Sequence, residues 1–118
     1  MQKIYSLKKL NEIGQGDDKF IMDMLITFIE NVTGCMERIV PLKLDGDWVG
    51  IAEIAHKLAS NFAYLDSDNL IAISKDIENS VFNEKNLTDI ADKTDKLCSG
   101  AILLVEQLKE DFDFLRTL

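Results

Sequence analysis

Apolar side chains recur at intervals of three and four residues through most of the chain, which is the period of a helix with one buried face. The first long run follows Gly14-Gln15-Gly16-Asp17, a turn whose aspartate can cap a helix N-terminus. The apolar positions of this run are Phe20, Ile21, Met24, Leu25, Phe28, Ile29, Val32, Cys35, Met36 and Ile39. We therefore predict a helix over about residues 17–42, with Pro41 bending or ending its last turn.

Three further helices are predicted by the same spacing, each after a polar turn. Asp45-Gly46-Asp47 precedes a helix that runs to about residue 65, and Asp66-Ser67-Asp68 repeats this arrangement before a helix that continues through Val81. Residues 83–86 are polar and predict a turn before a long last helix. The positions on one side of that helix are Leu87, Ile90, Thr94, Leu97, Ala101, Leu104, Leu108, Phe112 and Leu115.

The predicted elements are all helical, since no stretch alternates with period two long enough to indicate a strand. Four amphipathic helices joined by short loops bury their apolar stripes most simply in an antiparallel bundle. Ile4 to Leu10 is expected to form a short lead-in helix or a cover over one end. We predict one all-α domain over residues 1–118, an antiparallel up-down four-helix bundle with a short N-terminal lead-in helix.

The charge balance narrows the classes of partner. The chain has 13 Lys and Arg against 21 Asp and Glu, a formal net charge of −8 at pH 7 and a pI of about 4.5. This disfavours binding to nucleic acid or to an anionic membrane surface, because both need basic surface. The first ten residues lack the apolar run of a signal peptide, and Ala101–Val105 is far shorter than the roughly 20 residues of a membrane span. We expect a cytoplasmic protein, and the initial methionine favours a free-standing one.

Several chemistries lack the residues they require. Cys35 and Cys98 are far apart and accompanied by one histidine, so no zinc site is expected; both are interpreted as free thiols inside helices in a reducing compartment. No serine stands in a Gly-x-Ser-x-Gly turn, and no Gly-x-x-x-x-Gly-Lys loop is present to bind nucleotide phosphates. We therefore expect no cofactor and no metal held by this chain.

The second helix carries the only histidine, His56, on an unusual face. At 100° per residue, the apolar side opposite His56 consists of Ile51, Ile54, Leu58 and Leu65. The side chains within about 60° of His56 are those of Val49, Ala52, Glu53, Ala59, Ser60 and Ala63. Small neighbours leave the imidazole clear for docking by another protein. They are equally consistent with a neighbouring helix packed very close, in which case His56 is partly buried.

A solitary exposed histidine can act as a nucleophile toward phosphorus with few assisting residues. The nitrogen of a neutral imidazole is a nucleophile toward phosphorus near pH 7. Acyl transfer or metal catalysis would need further partners that are not near His56 in the sequence.

The segment Ile54–Leu70, which reads IAHKLASNFAYLDSDNL, resembles the signature of histidine-containing phosphotransfer (HPt) domains. That signature is roughly Ala-His-x-Leu-Lys-Gly-Ser, followed after a few residues by Gly-Ala and a leucine. Gly16-Asp-Asp-Lys-Phe20 and Gly46-Asp47-Trp48 also resemble the openings of the family's helices. The resemblance extends over about residues 5–82 and implies the same helical bundle.

The resemblance implies a phosphorelay intermediate with no kinase activity of its own. His56 would accept a phosphoryl group from the aspartate of a response-regulator receiver domain and pass it to another receiver. The receiver would supply Mg²⁺, and a hybrid sensor kinase is a further candidate partner of this monomer. Lys57 and Ser60 would assist the phosphoryl group on His56, while the docking surface would comprise Val49, Ala52, Glu53, Ala59 and Ala63.

Three positions depart from the family pattern. The family's lysine three residues after the histidine is Ala59, the glycine after it is Ser60, and the glycine nearer the helix end is Asp66. An alternative is therefore a degenerate HPt-like module that binds receivers or other partners without phosphotransfer. A plain helical scaffold or oligomerisation domain is the third hypothesis.

Overall fold

The computed structural model describes residues 2–84 and 87–118, and all regular secondary structure in these ranges is helical. The five α-helices are α1 (Lys8–Gly14), α2 (Asp18–Leu44), α3 (Trp48–Tyr64), α4 (Asp68–Phe82) and α5 (Ile90–Asp111). Short 3₁₀ turns occupy Leu87–Asp89 and Asp113–Leu115. The predicted all-helical class is confirmed. The turn predicted at 83–86 includes residues 85 and 86, which lie outside the described residues.

Two of the predicted aspartate caps form as expected. The Asp17 carboxylate accepts hydrogen bonds from the backbone N–H groups of Lys19 and Phe20 at the start of α2. The Asp47 carboxylate accepts one from Gly50 at 2.9 Å at the start of α3. These three bonds satisfy N–H groups that have no partner within their own helix.

The start of α4 is built differently from the predicted cap. Ser67 is the N-cap residue, but its hydroxyl accepts no capping hydrogen bond and is buried without a described partner. The preceding Asp66 adopts the left-handed conformation, with φ of 51°. Backbone bonds hold the turn instead, and the Ser67 N–H donates to the Phe62 carbonyl at 3.1 Å.

Helix α2 runs past its proline. The prediction ended this helix near residue 42, whereas α2 ends at Leu44. The exposed Pro41 lacks an N–H, but its carbonyl accepts a hydrogen bond from the Asp45 N–H at 3.0 Å, so the last turn stays closed.

The predicted lead-in helix at Ile4–Leu10 is shorter in the structure. Residues 4–7 are not helical, and α1 begins at Lys8. The side chain of Gln107, buried in α5, binds the backbone of this segment. Its Oε1 accepts from the Ile4 N–H at 2.9 Å, and its Nε2 donates to the Gln2 carbonyl at 3.0 Å. The Ser6 N–H donates to the carbonyl of Leu65, in the turn between α3 and α4, at 2.8 Å.

Asp111 completes the attachment of the N-terminal segment. Its carboxylate accepts hydrogen bonds from the Tyr5 hydroxyl and from Lys3 Nζ, the latter at 2.9 Å. These bonds hold the pKa of Asp111 below its usual value. Burial and the contact with Asp111 raise the pKa of Tyr5.

The last helix ends earlier than predicted. The prediction placed Phe112 and Leu115 on the last helix, but α5 ends at Asp111. Phe112 is extended, with φ of −130° and ψ of 104°, which turns the chain into the Asp113–Leu115 turn. Leu115 is nevertheless fully buried, so the apolar pattern continues into the core after the helix has ended.

One hydrophobic core receives side chains from every α-helix. Helices α3 and α4 make the most extensive contact of any pair, and α2 and α5 contact each other much less. Cys35 is buried and Cys98 partly buried, and both are free thiols. No helix in the described part of the chain is long and apolar enough to cross a membrane.

Candidate functional site

The site is centred on His56 in the middle of α3. The predicted core side of this helix is confirmed, because Ile51 and Leu58 are fully buried. His56 points away from them, and its side chain is 74% exposed. The helix therefore buries one face and presents the imidazole from the other.

Helix α4 brings a carboxylate to this imidazole. Nδ1 of His56 lies 2.7 Å from Oε1 of Glu78, whose side chain is only 17% exposed. An ionised carboxylate can only accept a hydrogen bond, so Nδ1 carries the hydrogen and donates it. In the neutral ring, Nε2 then holds the free lone pair.

Sequence reasoning missed Glu78, although the sequence contains a signal for it. Helices α3 and α4 form an antiparallel pair joined by a short turn, and His56 and Glu78 each lie eleven residues from Ser67 in that turn. Residues equally distant from the centre of such a turn stand opposite each other across the pair. The register of the two helices therefore selects Glu78 as the partner of His56.

The alanines beside His56 are less accessible than the predicted docking surface requires. Ala52 is fully buried, and Ala59 and Ala63 are half-buried rather than open. Ala52 packs in a small cluster with Val81 of α4 and Ile90 of α5. These small side chains let α4 approach α3 closely. The alternative interpretation of the small residues around His56, a closely packed neighbouring helix, therefore applies to the alanines. The prediction that Ala52 belongs to an open docking surface is wrong.

An open groove of about 460 Å³ adjoins the histidine. Its lining residues are Ala52, Glu53, His56, Lys57, Glu78 and Phe82. Ala52 forms the closed floor, while Phe82 is 66% exposed and Val49, two turns before His56 on α3, is 56% exposed. Sequence reasoning also missed Phe82, because it lies on a different helix from His56 and directly follows Val81, the last apolar position named for that helix.

The structure brings some of the predicted site residues together and leaves others apart. Glu53 and Lys57 are exposed and line the same groove as His56. Lys57 also lines a neighbouring groove between α2 and α3, together with Arg38. Ser60 is exposed one turn after His56 but makes no described hydrogen bond to it. Ala63 lies two turns after His56, outside the groove.

The groove does not contain a recognisable metal centre. Within residues 2–84 and 87–118, no three His, Cys, Asp or Glu side chains are grouped so that they could hold an ion. Of the residues that the structure describes, the ionisable groups at the groove are two carboxylates, Glu53 and Glu78, with Lys57 and the imidazole. Together they offer a nitrogen nucleophile and a hydrogen-bond acceptor that orients it.

Comparisons with known proteins found no matching family model, no matching curated protein and no matching solved structure. The resemblance to HPt domains is therefore carried by the segment Ile54–Leu70 and the two helix openings that precede it.

Proposed function

We propose that this protein is a histidine phosphotransfer protein of a two-component phosphorelay. His56 accepts a phosphoryl group from the aspartyl phosphate of one receiver domain and passes it to the aspartate of another. The observation that carries this proposal is the largely exposed His56, whose Nδ1 is held at 2.7 Å by Glu78 and whose Nε2 makes no hydrogen bond to a described residue.

The transfer step follows from this arrangement of nitrogens. The Nε2 lone pair attacks phosphorus, a nitrogen–phosphorus bond forms, and the phosphorus–oxygen bond to the receiver's aspartate breaks. The electron pair of that bond leaves with the receiver's carboxylate. In the second transfer, a carboxylate oxygen of the next receiver attacks phosphorus and the pair returns to Nε2. Such transfers depend mainly on positioning and on stabilisation of charge.

Glu78 has a defined part in this step. When Nε2 bonds to phosphorus while Nδ1 keeps its hydrogen, the ring becomes positively charged. The Glu78 carboxylate already accepts the Nδ1 hydrogen bond and compensates that charge. Glu78 also fixes the orientation of the ring, so that Nε2 and not Nδ1 is presented to the partner. It is a positioning residue, because it acts through the imidazole.

The fold that accompanies this proposal is an antiparallel up-down four-helix bundle formed by α2, α3, α4 and α5, with α1 as the lead-in helix. The site lies on its outer surface at the α3–α4 pair. The receiver holds the Mg²⁺ that offsets charge on the transferred group, and this chain contributes Lys57 at the edge of the groove. The protein acts as a cytoplasmic monomer without kinase activity of its own.

A non-catalytic receiver-binding module is the second candidate, and two observations favour it. Ala59 provides no cation one turn after His56, and Asp66 stands where the HPt signature has a glycine. Such a module would bind receivers equally well with or without the imidazole.

The deciding experiment is transfer from a panel of phosphorylated receiver domains to the wild-type protein and to His56→Gln. We expect acid-labile, base-stable phosphate on the wild type and none on the variant. Matched helical content and melting temperature would show that the variant is folded. Equal labelling of the two proteins would remove His56 as the acceptor. No labelling, with receiver affinity unchanged in His56→Gln, would favour the non-catalytic module.

A further inference from the structure

The surface around His56 is asymmetric along α3. Towards the start of the helix stand two exposed apolar side chains, Val49 and Phe82, with the buried Ala52 beside them. Phe82 lies one turn beyond Glu78 on α4 and faces the same groove. In the other direction, the exposed residue one turn after His56 is the small, polar Ser60.

Phe82 is exceptional among the exposed apolar residues. It is 66% exposed and lines the groove that holds His56 and Glu78. Ile102 on α5 is also exposed, at 49%, but lies outside that groove. An exposed aromatic side chain beside a reactive group is a strong candidate for an anchor residue, because aromatic anchors dominate the affinity of many interfaces.

The charge of the groove restricts what can cover Phe82. Among the described residues, Glu53 and Glu78 line the groove as carboxylates and Lys57 is the one cation of the lining, on a chain whose net charge is −8. A receiver that carries an aspartyl phosphate is itself strongly negative at its active site. Two acidic surfaces repel each other unless one brings cations to the contact.

We propose that Phe82 is the anchor by which this protein selects its receiver, and that the fitting receiver offers an apolar pocket rimmed by Lys or Arg. Phe82 enters the pocket, and the basic rim lies over Glu53 and Glu78. This inference rests on the proposed function for the class of its partner. To the proposed phosphotransfer function it adds an anchor residue on α4, Phe82, and the requirement that the receiver carry basic residues around its pocket.

The test measures the affinity of isolated receiver domains for the protein. The panel includes receivers with and without Lys or Arg around an apolar docking face. The background is His56→Gln, so that transfer does not interfere, and the variants added are Phe82→Ala, Phe82→Leu and, as the control, Ile102→Ala.

For the receivers with a basic rim, we expect Phe82→Ala to weaken binding at least tenfold. Phe82→Leu should retain most of the affinity and Ile102→Ala all of it. Receivers without the rim should bind the parent protein weakly. Equal affinity of Phe82→Ala and Ile102→Ala overturns the proposal, and so does a panel in which no receiver binds.

A charge variant tests the second half of the inference. Glu53→Gln should weaken binding of the basic-rimmed receivers about threefold and reduce its dependence on salt. Glu106→Gln, the same change on the exposed surface of α5, is the control and should alter neither. Identical salt dependence in the two variants contradicts the basic rim.

Failure of this inference can be told apart from failure of phosphotransfer. If the wild type takes phosphate from receivers while Phe82→Ala binds them normally, phosphotransfer stands and the anchor is wrong. If no receiver labels His56 while Phe82→Ala still loses affinity, the anchor stands on a non-catalytic module.

Discussion

The two sides of α3 differ in how closely a neighbouring helix approaches. On the side that faces α4, the alanines are buried or half-buried, and Glu78 reaches His56. On the side that faces α2, Lys57 and Asn61 line a groove of about 490 Å³ opposite Gly34. The comparison shows that small side chains on a helix can indicate close contact with the next helix in sequence. The open side of α3 is instead lined by longer polar residues.

The largest effect is expected from enlarging a residue on the close side. Ala52→Leu adds a branched side chain at a fully buried position that packs against Val81 and Ile90, and we expect the free energy of unfolding to fall by about 2–3 kcal/mol. Urea denaturation measures this change. Val49→Leu enlarges an exposed residue of the same helix and should change stability by less than about 0.5 kcal/mol. An unchanged unfolding midpoint for Ala52→Leu would mean that α3 and α4 are not in close contact.

The second effect concerns the contact that this close approach permits. Glu78→Gln keeps a hydrogen-bond acceptor for Nδ1 but removes the charge that compensates the phosphorylated ring. We expect transfer to His56 at saturating receiver to slow about tenfold, which is about 1.4 kcal/mol in activation free energy. Asp76→Asn is the matched control on α4, because Asp76 pairs with Lys93 of α5 at 3.1 Å. Equal rates for the two variants would show that Glu78 does not act on the imidazole.

The third predicted effect is a gain in stability, and it concerns the open side of α3, which faces α2. A Cβ added at Gly34 meets no atom within 4 Å, so Gly34→Ala gains helix propensity without a clash. We expect about 1 kcal/mol of added stability. At Gly100 the added Cβ would lie 2.4 Å from Cδ2 of Leu70, and Gly100→Ala should destabilise the protein in the same denaturation assay. A loss of stability in Gly34→Ala would show that the α2 side is also closely packed.

The smallest effect is expected at Lys57. This exposed side chain has no ion-pair partner among the described residues, so Lys57→Gln should change the free energy of unfolding by less than about 0.5 kcal/mol. Lys93 is 21% exposed and contacts both Asp76 and Ser80, and Lys93→Gln should cost about 1 kcal/mol. Equal losses in the two variants would place Lys57 in a contact on the α2 side.

Much of the helical pattern could be predicted because it depends on local chemistry. The caps Asp17 and Asp47 act on N–H groups two or three residues away, and the core face of α3 follows from helical periodicity alone. The same periodicity places His56 opposite the core face, but the small residues around it left its exposure open until the structure showed the side chain to be 74% exposed.

The failures occurred where a distant residue decides the outcome. The exposure of Ala52 depends on how closely α4 approaches, and spacing within α3 alone leaves that open. Residues 4–7 are not helical, and the Gln107 side chain, more than a hundred positions away, binds the backbone N–H of Ile4. Glu78 could have been found by pairing the helices about Ser67, which uses the turn as well as the periodicity.

The attachment of the N-terminal segment to α5 has a consequence for the connectivity of the chain. Gln2 bonds to Gln107, and the Leu118 carbonyl accepts a hydrogen bond from Lys109, so both ends of the described chain lie beside the same turn of α5. Chain ends attached to one turn of a helix can be joined by a flexible linker. A circular permutant opened at the exposed Gly46 turn should therefore keep the same packing. The order in which the helices are synthesised is then separable from the structure that they form.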